Sequence, residues 1–341
     1  MLDAWYSMSI GRSTKMYLNN SKTIKSLISI LVFAAISSLA SAYDKCTLIS
    51  SGITTFYFGV ETPIPDADHP ITIDFFHADI EVAFTQTGWD IAVASDEPDS
   101  LLGEIAVEPA EALLYVNMNA RITLPSIPNG FEFIGAKPGE TFWVLPQTEG
   151  SGALPLGLCT EEADISRLCD WNPGDVRGAD IADKWFELKI VAVRGPADAN
   201  FSMWQADGIN PPVVFVSTAE GGITEDDVFY ISAGSHSHLN WGFTKPGICE
   251  IDLRISTVCK CDAALTADIT PMGNELYQGN CIVDFHDFAL LVSHWLDVGC
   301  GGGTPDSFGG TDLDNNGEIG FSDLVILANQ WLQCGYPGCE H

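Results

Sequence analysis

Basic side chains are scarce in this sequence: 15 Lys and Arg stand against 46 Asp and Glu in 341 residues, a formal net charge of −31. A chain so poor in cations cannot lay down the Lys/Arg stripe that neutralises phosphates, which argues against nucleic acid and anionic membranes as partners. Charged residues make up only 18% and hydrophobic ones 46%, too apolar a balance for a disordered acidic tail. Catalytic signatures are missing as well. There is no Gly-x-Ser-x-Gly elbow and no Gly-rich phosphate loop carrying a Lys. Carboxylates are so abundant that a close pair says nothing about glycoside hydrolysis. No enzyme is expected. Beyond residue 42 no long apolar run remains, so no transmembrane segment is expected in the mature chain.

Ten cysteines are many for a reducing compartment and suit an oxidised, disulfide-bearing protein. The N-terminus agrees. Lys15, Lys22 and Lys25 precede an apolar run over 27–36, and Ala40, Ser41 and Ala42 close it. This is the plan of a secretory signal peptide over 1–42 with cleavage after Ala42. A membrane anchor is the alternative, but the run is shorter than the ~20 residues a span needs. Loss of Arg12, Lys15, Lys22, Lys25 and Asp3 deepens the acidic imbalance. The expected location is extracellular or at the cell surface.

From 43 to 257 the chain reads as short β-rich runs separated by Gly, Pro, Asp and Asn: 54–60, 71–84, 89–94, 112–124, 141–145, 185–194, 199–205, 213–216, 228–233 and 247–255. Ile251, Leu253 and Ile255 alternate with Glu250, Asp252 and Arg254, the period of a strand with one wet face. The expected fold is mainly β, an antiparallel β-sandwich. A linker follows over 258–275.

Helical periodicity begins only near the C-terminus. Apolar residues fall at Phe285, Phe288, Ala289, Val292, Trp295 and Leu296, and again at Phe321, Leu324, Val325, Ala328, Trp331 and Leu332. The two windows are offset by 36 residues and share Phe, Asp, Leu, Trp and Leu at matching positions. They form an internal repeat whose apolar faces bury against each other, a small all-α module over 276–341 with copies at 276–300 and 312–341.

Asp312, Asp314, Asn316 and Asp323 occupy the first, third, fifth and twelfth positions of a loop. Gly317 sits at the sixth, and the Glu318 carbonyl takes the seventh. Ile319 stands at the eighth, where it can pair with a partner loop. Such spacing wraps oxygen ligands around Ca²⁺. A metal-free Asx turn that caps the helix is the alternative. The upstream copy, read from Leu276 to Asp287, offers Gln278, Asn280, Asp284 and Asp287, with Cys281 where glycine is expected. It is either a weaker calcium loop or a metal-free packing partner stapled through Cys281 and Cys300. The twelfth-position Asp, the helix ending Trp-Leu and the tandem copy resemble the type I dockerin family. That resemblance implies a Ca²⁺-dependent module that docks a cohesin-like or cell-surface partner through the helices.

Histidine is also rare, seven residues in all, so close imidazoles are informative. His236 and His238, at i and i+2 of an extended segment, point to one face, and His77 and Asp79 do the same elsewhere. Imidazoles and a carboxylate suit Zn²⁺ or another transition ion. The alternative is that these histidines only hold a β-turn. Residues 77–82, Thr141 to Gln147, Leu156-Gly157, Gly195-Pro196 with Gly208, and His236-Ser237-His238 through Pro246-Gly247 resemble the choice-of-anchor M group of bacterial surface-anchored protein domains. The resemblance implies a secreted domain without established catalysis, and it places His77, His236 and His238 on motif positions. A rival reading is polysaccharide binding or a polysaccharide-active enzyme carried on a dockerin, with Trp89, Trp143, Trp185, Trp204 and Trp241 exposed to stack on sugars.

Overall fold

The computed structural model describes residues 46–62, 71–74, 77–95, 105–261, 265–269, 281–298 and 310–336. The chain divides into two units, Met1–Tyr43 and Asp44–His341. The signal-peptide segment 1–42 lies outside the described residues.

Among those residues the strands are β1 (Cys46–Val60), β2 (Ile71–Ile73), β3 (Ala78–Thr85), β4 (Gly88–Ser95), β5 (Ile105–Val107), β6 (Ala112–Val116), β7 (Arg121–Thr123), β8 (Thr141–Leu145), β9 (Leu156–Cys159), β10 (Trp185–Arg194), β11 (Phe201–Gln205), β12 (Val213–Ser217), β13 (Val228–Ser232), β14 (His236–His238), β15 (Asn240–Phe243) and β16 (Gly247–Lys260). They build a six-stranded sheet, β13-β10-β16-β1-β6-β2, and two five-stranded sheets, β12-β11-β15-β8-β7 and β14-β9-β3-β4-β5. The protein is mainly β.

Alternation decides which face each strand buries. In β16, Ile251, Leu253 and Ile255 are inside while Glu250, Asp252 and Arg254 reach the surface. β1 and β16 run further than their alternating stretches because they pair with each other from Val60↔Gly247 to Cys46↔Lys260, with one bulge between Ser50 and Ile53. Most pairings are antiparallel as expected, but β1 with β6, β2 with β6 and β3 with β9 are parallel, so two of the sheets are mixed. Parallel neighbours need long crossovers, and β3 reaches β9 only after β4 to β8 have been laid down. Local pattern carries no sign of that.

Phe56 and Phe58, Ile80 and Phe84, and Phe201 and Trp241 bring all three sheets into one hydrophobic cluster. Each such side chain contributes about 1.5–3 kcal/mol by leaving water. Trp241 is fully buried and donates its indole N–H to the Leu156 carbonyl at 3.2 Å. Two abrupt sheet changes position the site below. The expected strand over 71–84 divides, β2 joining the first sheet and β3 the third, which leaves His77 at the entrance of β3. Likewise β14 and β15 lie in different sheets, with wholly buried Leu239 at the crossing.

The C-terminal part holds two nine-residue helices, α1 (Phe285–Ser293) and α2 (Phe321–Asn329). They are shorter than the twelve-residue windows because Leu296 and Leu332 have already turned to positive φ, +67° and +58°. The stripe expected to be buried is divided. Phe288, Trp295 and Trp331 pack on a small core of Leu265, Ala267, Val283, Leu291, Ile319 and Leu327. Phe285, Val292, Leu296, Phe321, Val325 and Leu332 remain exposed. Ile319 does not pair with the other loop: its N–H donates to Asp297 O, just past α1, and Val283 N donates to Gln333 O, just past α2. The staple expected between Cys281 and Cys300 is replaced by Cys261–Cys281, and a second disulfide joins Cys46 to Cys169. Cys300 lies outside the described residues.

Candidate metal centre

In the third sheet β9 runs between β3 and β14. Asp79 faces Gly157 across one parallel pairing, and His238 faces Gly157 across an antiparallel one, while His236 stands opposite Cys159. Asp79, Gly157, His236 and His238 therefore share one face, and His77 joins them from the residue before β3. The four donors of His77, Asp79, His236 and His238 lie within 4.8 Å of one another. That is about the span of two metal–ligand bonds of ~2.1 Å with a small inward shift. The sequence expectation that these four residues converge is met, although 157 residues separate Asp79 from His236.

His236 Nε2 meets Asp79 Oδ1 at 2.7 Å, His77 Nδ1 stands 3.5 Å from Asp79 Oδ2, and His77 Nε2 faces His238 Nε2 at 3.0 Å. Asp79 is buried, whereas the side chains of His77 and His236 keep 20% and 30% of their surface. The centre is thus rooted in the protein and open on one side. Burial, reinforced by the neighbouring His77, holds His238 below its ordinary value and favours the neutral ring that ligates metals. His238 Nδ1 is buried and has no hydrogen-bond partner among the described residues, so no bond with them opposes rotation of the ring.

Gly157 makes this packing possible. A Cβ at that position would lie 2.1 Å from Asp79 Oδ1, 2.7 Å from His236 Nε2 and 3.1 Å from His238 Cε1. The donors occupy the volume that any other residue's side chain would fill. The available signal was a glycine inside a strand, which marks close approach of other groups.

The second grouping, Asp312, Asp314 and Asp323, also lies within 4.8 Å. Asp323 is fully buried; its Oδ1 accepts from Leu313 N at 2.8 Å and its Oδ2 from Gly320 N at 2.8 Å. Asp312 Oδ2 accepts from Gly317 N at 2.9 Å, at the turn where Gly317 has φ +87°. The Ser322 hydroxyl beside Asp314 holds that carboxyl below the usual range. Asn316 Oδ1 accepts from Glu318 N at 2.8 Å.

The upstream copy has a different register from the one read from Leu276. Asp268 Oδ2 accepts from Cys281 N at 3.0 Å, as Asp312 does from Gly317, and Asp287 Oδ1 accepts from Ile269 N at 2.7 Å, as Asp323 does from Leu313. Asp268 is fully buried and takes the place assigned to Leu276. Cys281 adopts φ +61°, matching Gly317. Asp284 caps α1 by accepting from His286 N at 2.7 Å, and Asp287 is buried beneath it. Gln278 and Asn280 lie outside the described residues. Asp268 was missed because extra residues separate it from the rest of the loop.

The tryptophans expected to stack on sugars are in the interior: Trp143, Trp185, Trp204 and Trp241 are buried, and Trp89 packs against Phe84 and Phe186. Comparison with family models, curated proteins and solved structures finds no match for this chain.

Proposed function

We propose that this is an extracellular, non-enzymatic surface protein whose β-sandwich domain holds a transition ion, Zn²⁺ or a close relative, through His77, Asp79, His236 and His238. The observation that carries the reading is the convergence of these donors from distant segments over the bare backbone of Gly157. Three imidazoles and a carboxylate suit Zn²⁺ chemistry and not the all-oxygen shell of Ca²⁺. The dockerin-like C-terminal module would take Ca²⁺ at Asp312, Asp314, Asn316, the Glu318 carbonyl and Asp323. It would present the exposed Phe285, Val292, Phe321 and Val325 to a cohesin-like or cell-surface partner. The polysaccharide reading loses its main support with the tryptophans inside.

Elemental analysis of the purified protein, followed by ZnCl₂ titration calorimetry, tests the metal. One Zn²⁺ per β-domain, abolished by His236→Ala, is expected. Absence of binding, or binding untouched by that substitution, would overturn it.

A further inference from the structure

The five-stranded sheet β12-β11-β15-β8-β7 packs one face on the main core, through Trp143, Leu145, Phe201 and Met203, and turns the alternate residues outward. Phe142, Val144 and Trp204 stand on that outer face and are nonetheless buried, because the chain between β7 and β8 folds back over them with Phe133 and Ile134. This cover is pinned at its base and near its middle. Leu124 O accepts from Gly139 N at 2.8 Å, and Phe133 O accepts from Ser217 Oγ at 2.7 Å. Cover and sheet do not meet everywhere: a cavity of about 500 Å³ remains between them, lined by Leu124, Phe131, Ile134, Phe142, Val144 and Trp204 among others. Its size lies within the range of small-molecule sites.

One polar group in that wall is unmatched. Trp143, Trp171, Trp185 and Trp241 each donate the indole N–H to a carboxylate or carbonyl oxygen. Trp204 is only 4% exposed, yet its indole N–H has no acceptor among the described residues. The benzo edge of the ring is committed elsewhere: Cζ3 and Cη2 lie 2.8 and 3.2 Å from where a Gly242 Cβ would stand. Ser202 Oγ and His238 Nδ1 are unpartnered and sealed off, whereas the Trp204 nitrogen keeps an open side, and the space its ring borders is the cavity. A buried indole N–H normally finds a partner, and leaving one unmet is costly.

The lining also says what the partner is. Asn240 spends its amide on Gln147 and on Trp204 O, and Asn119 and Ser151 stand exposed at the mouth. None of the described lining residues is charged. A carboxylate would enter with no cation to meet it, against the field of a chain of net charge −31, and an ammonium would meet a donor. We infer that this cavity binds an uncharged small molecule with an apolar body and a carbonyl oxygen that accepts the Trp204 indole N–H. The site uses none of the four proposed metal donors.

The probe is 6-propionyl-2-dimethylaminonaphthalene, an uncharged fluorescent ketone, with 2-dimethylaminonaphthalene as its carbonyl-free analogue and 2-naphthoate as a charged one. Binding to the full chain is followed by titration for wild type, Trp204→Phe and two variants that fill the space, Val144→Trp inside and Ile122→Trp at the half-buried edge. A thermal melt of each variant shows whether it folds. Wild type is expected to bind the ketone saturably and about tenfold or more tighter than naphthoate. Trp204→Phe should weaken the ketone about 3- to 10-fold, the loss of one neutral hydrogen bond, and leave the carbonyl-free analogue within about twofold. A folded space-filling variant should lose both. Independently of those variants, the ¹⁵N-labelled indole resonance that is missing from Trp204→Phe should shift in wild type with the ketone and less with the analogue. The inference is overturned by no saturable ketone binding to wild type, by naphthoate bound as tightly, or by equal losses of ketone and analogue in Trp204→Phe. Ketone binding untouched in a folded space-filling variant, or an indole resonance that the ketone does not move, overturns it as well.

Discussion

The Nε2 atoms of His77 and His238 face each other at 3.0 Å across 161 residues of chain. Two imidazole nitrogens at that separation either share one proton or aim both lone pairs at a common ion. With Zn²⁺ at a hundredfold excess over its dissociation constant, the second arrangement adds about 2.7 kcal/mol to the folded state. At roughly 2–4 °C per kcal/mol for a domain of this size, that raises the melting temperature by about 5–10 °C. His77→Ala should remove this zinc-dependent rise while leaving the metal-free melting temperature within a few degrees. An equal rise in wild type and variant, followed by calorimetry or circular dichroism, would count against His77 as a ligand.

Gly157 tests the same centre from beneath. Gly157→Ala puts a methyl carbon 2.1 Å from Asp79 Oδ1, so the carboxylate and the His236 ring must move aside. Overpacking of this kind costs about 1–3 kcal/mol. The effect on zinc affinity should be larger than the effect on the fold, because the displaced atoms are the donors themselves. A variant that melts as wild type does and also binds Zn²⁺ as tightly would show that the donors do not need the bare backbone at this position.

The metal-free protein should lose stability in mild acid. His238 is held below its ordinary value of 6.5, first by burial and then by the neighbouring His77, with His236 acting in the same direction and Asp79 and Glu149 opposing. Below pH 6.5 the unfolded chain therefore takes up a proton that the folded chain resists, so stability rises with pH through that window and falls as the solution is acidified. Thermal melts in EDTA between pH 5 and 8 should show this slope, and His238→Gln should flatten it. A variant slope as steep as that of wild type would assign the acid sensitivity to other groups.

What the sequence made legible was whatever short-range spacing encodes. The helices at Phe285 and Phe321, the grouping of Asp312, Asp314 and Asp323 and the shared face of His236 and His238 all follow from local periods, and each is present. The parallel pairing of β3 with β9 and the role of Gly157 depend on contacts between residues far apart in the chain, which no local period reports. Asp268 escaped for a related reason: a twelve-residue template cannot see a first-position carboxylate displaced by extra chain, although it accepts from Cys281 N as Asp312 does from Gly317 N. Only Leu296 and Leu332 of the exposed stripe residues lie past a helix end; Phe285, Val292, Phe321 and Val325 are exposed within the helices, because a period marks an apolar face and not how much of it a neighbour covers.

Calcium dependence should reside in the downstream loop. Asp312, Asp314 and Asp323 place three carboxylates within 4.8 Å, a repulsive grouping that a divalent cation relieves. Asp323 is also structural, since its fully buried carboxylate accepts backbone N–H groups of Leu313 and Gly320. Charge-assisted bonds of that kind are worth about 1.5–3 kcal/mol each, and removing the acceptor leaves two partly buried donors unmatched. Asp323→Ala should therefore lower stability by about 3 kcal/mol or more and abolish any response to Ca²⁺. Asp314→Asn provides the gentler probe, because Asp314 is more exposed and the change removes charge while keeping shape. It should weaken Ca²⁺ binding and leave the Ca²⁺-free fold nearly unchanged. Hydrogen exchange of residues 310–336, with and without EDTA, reads the outcome directly. Protection that is the same in both conditions would remove calcium from this loop and leave the Asx turn as a helix cap alone.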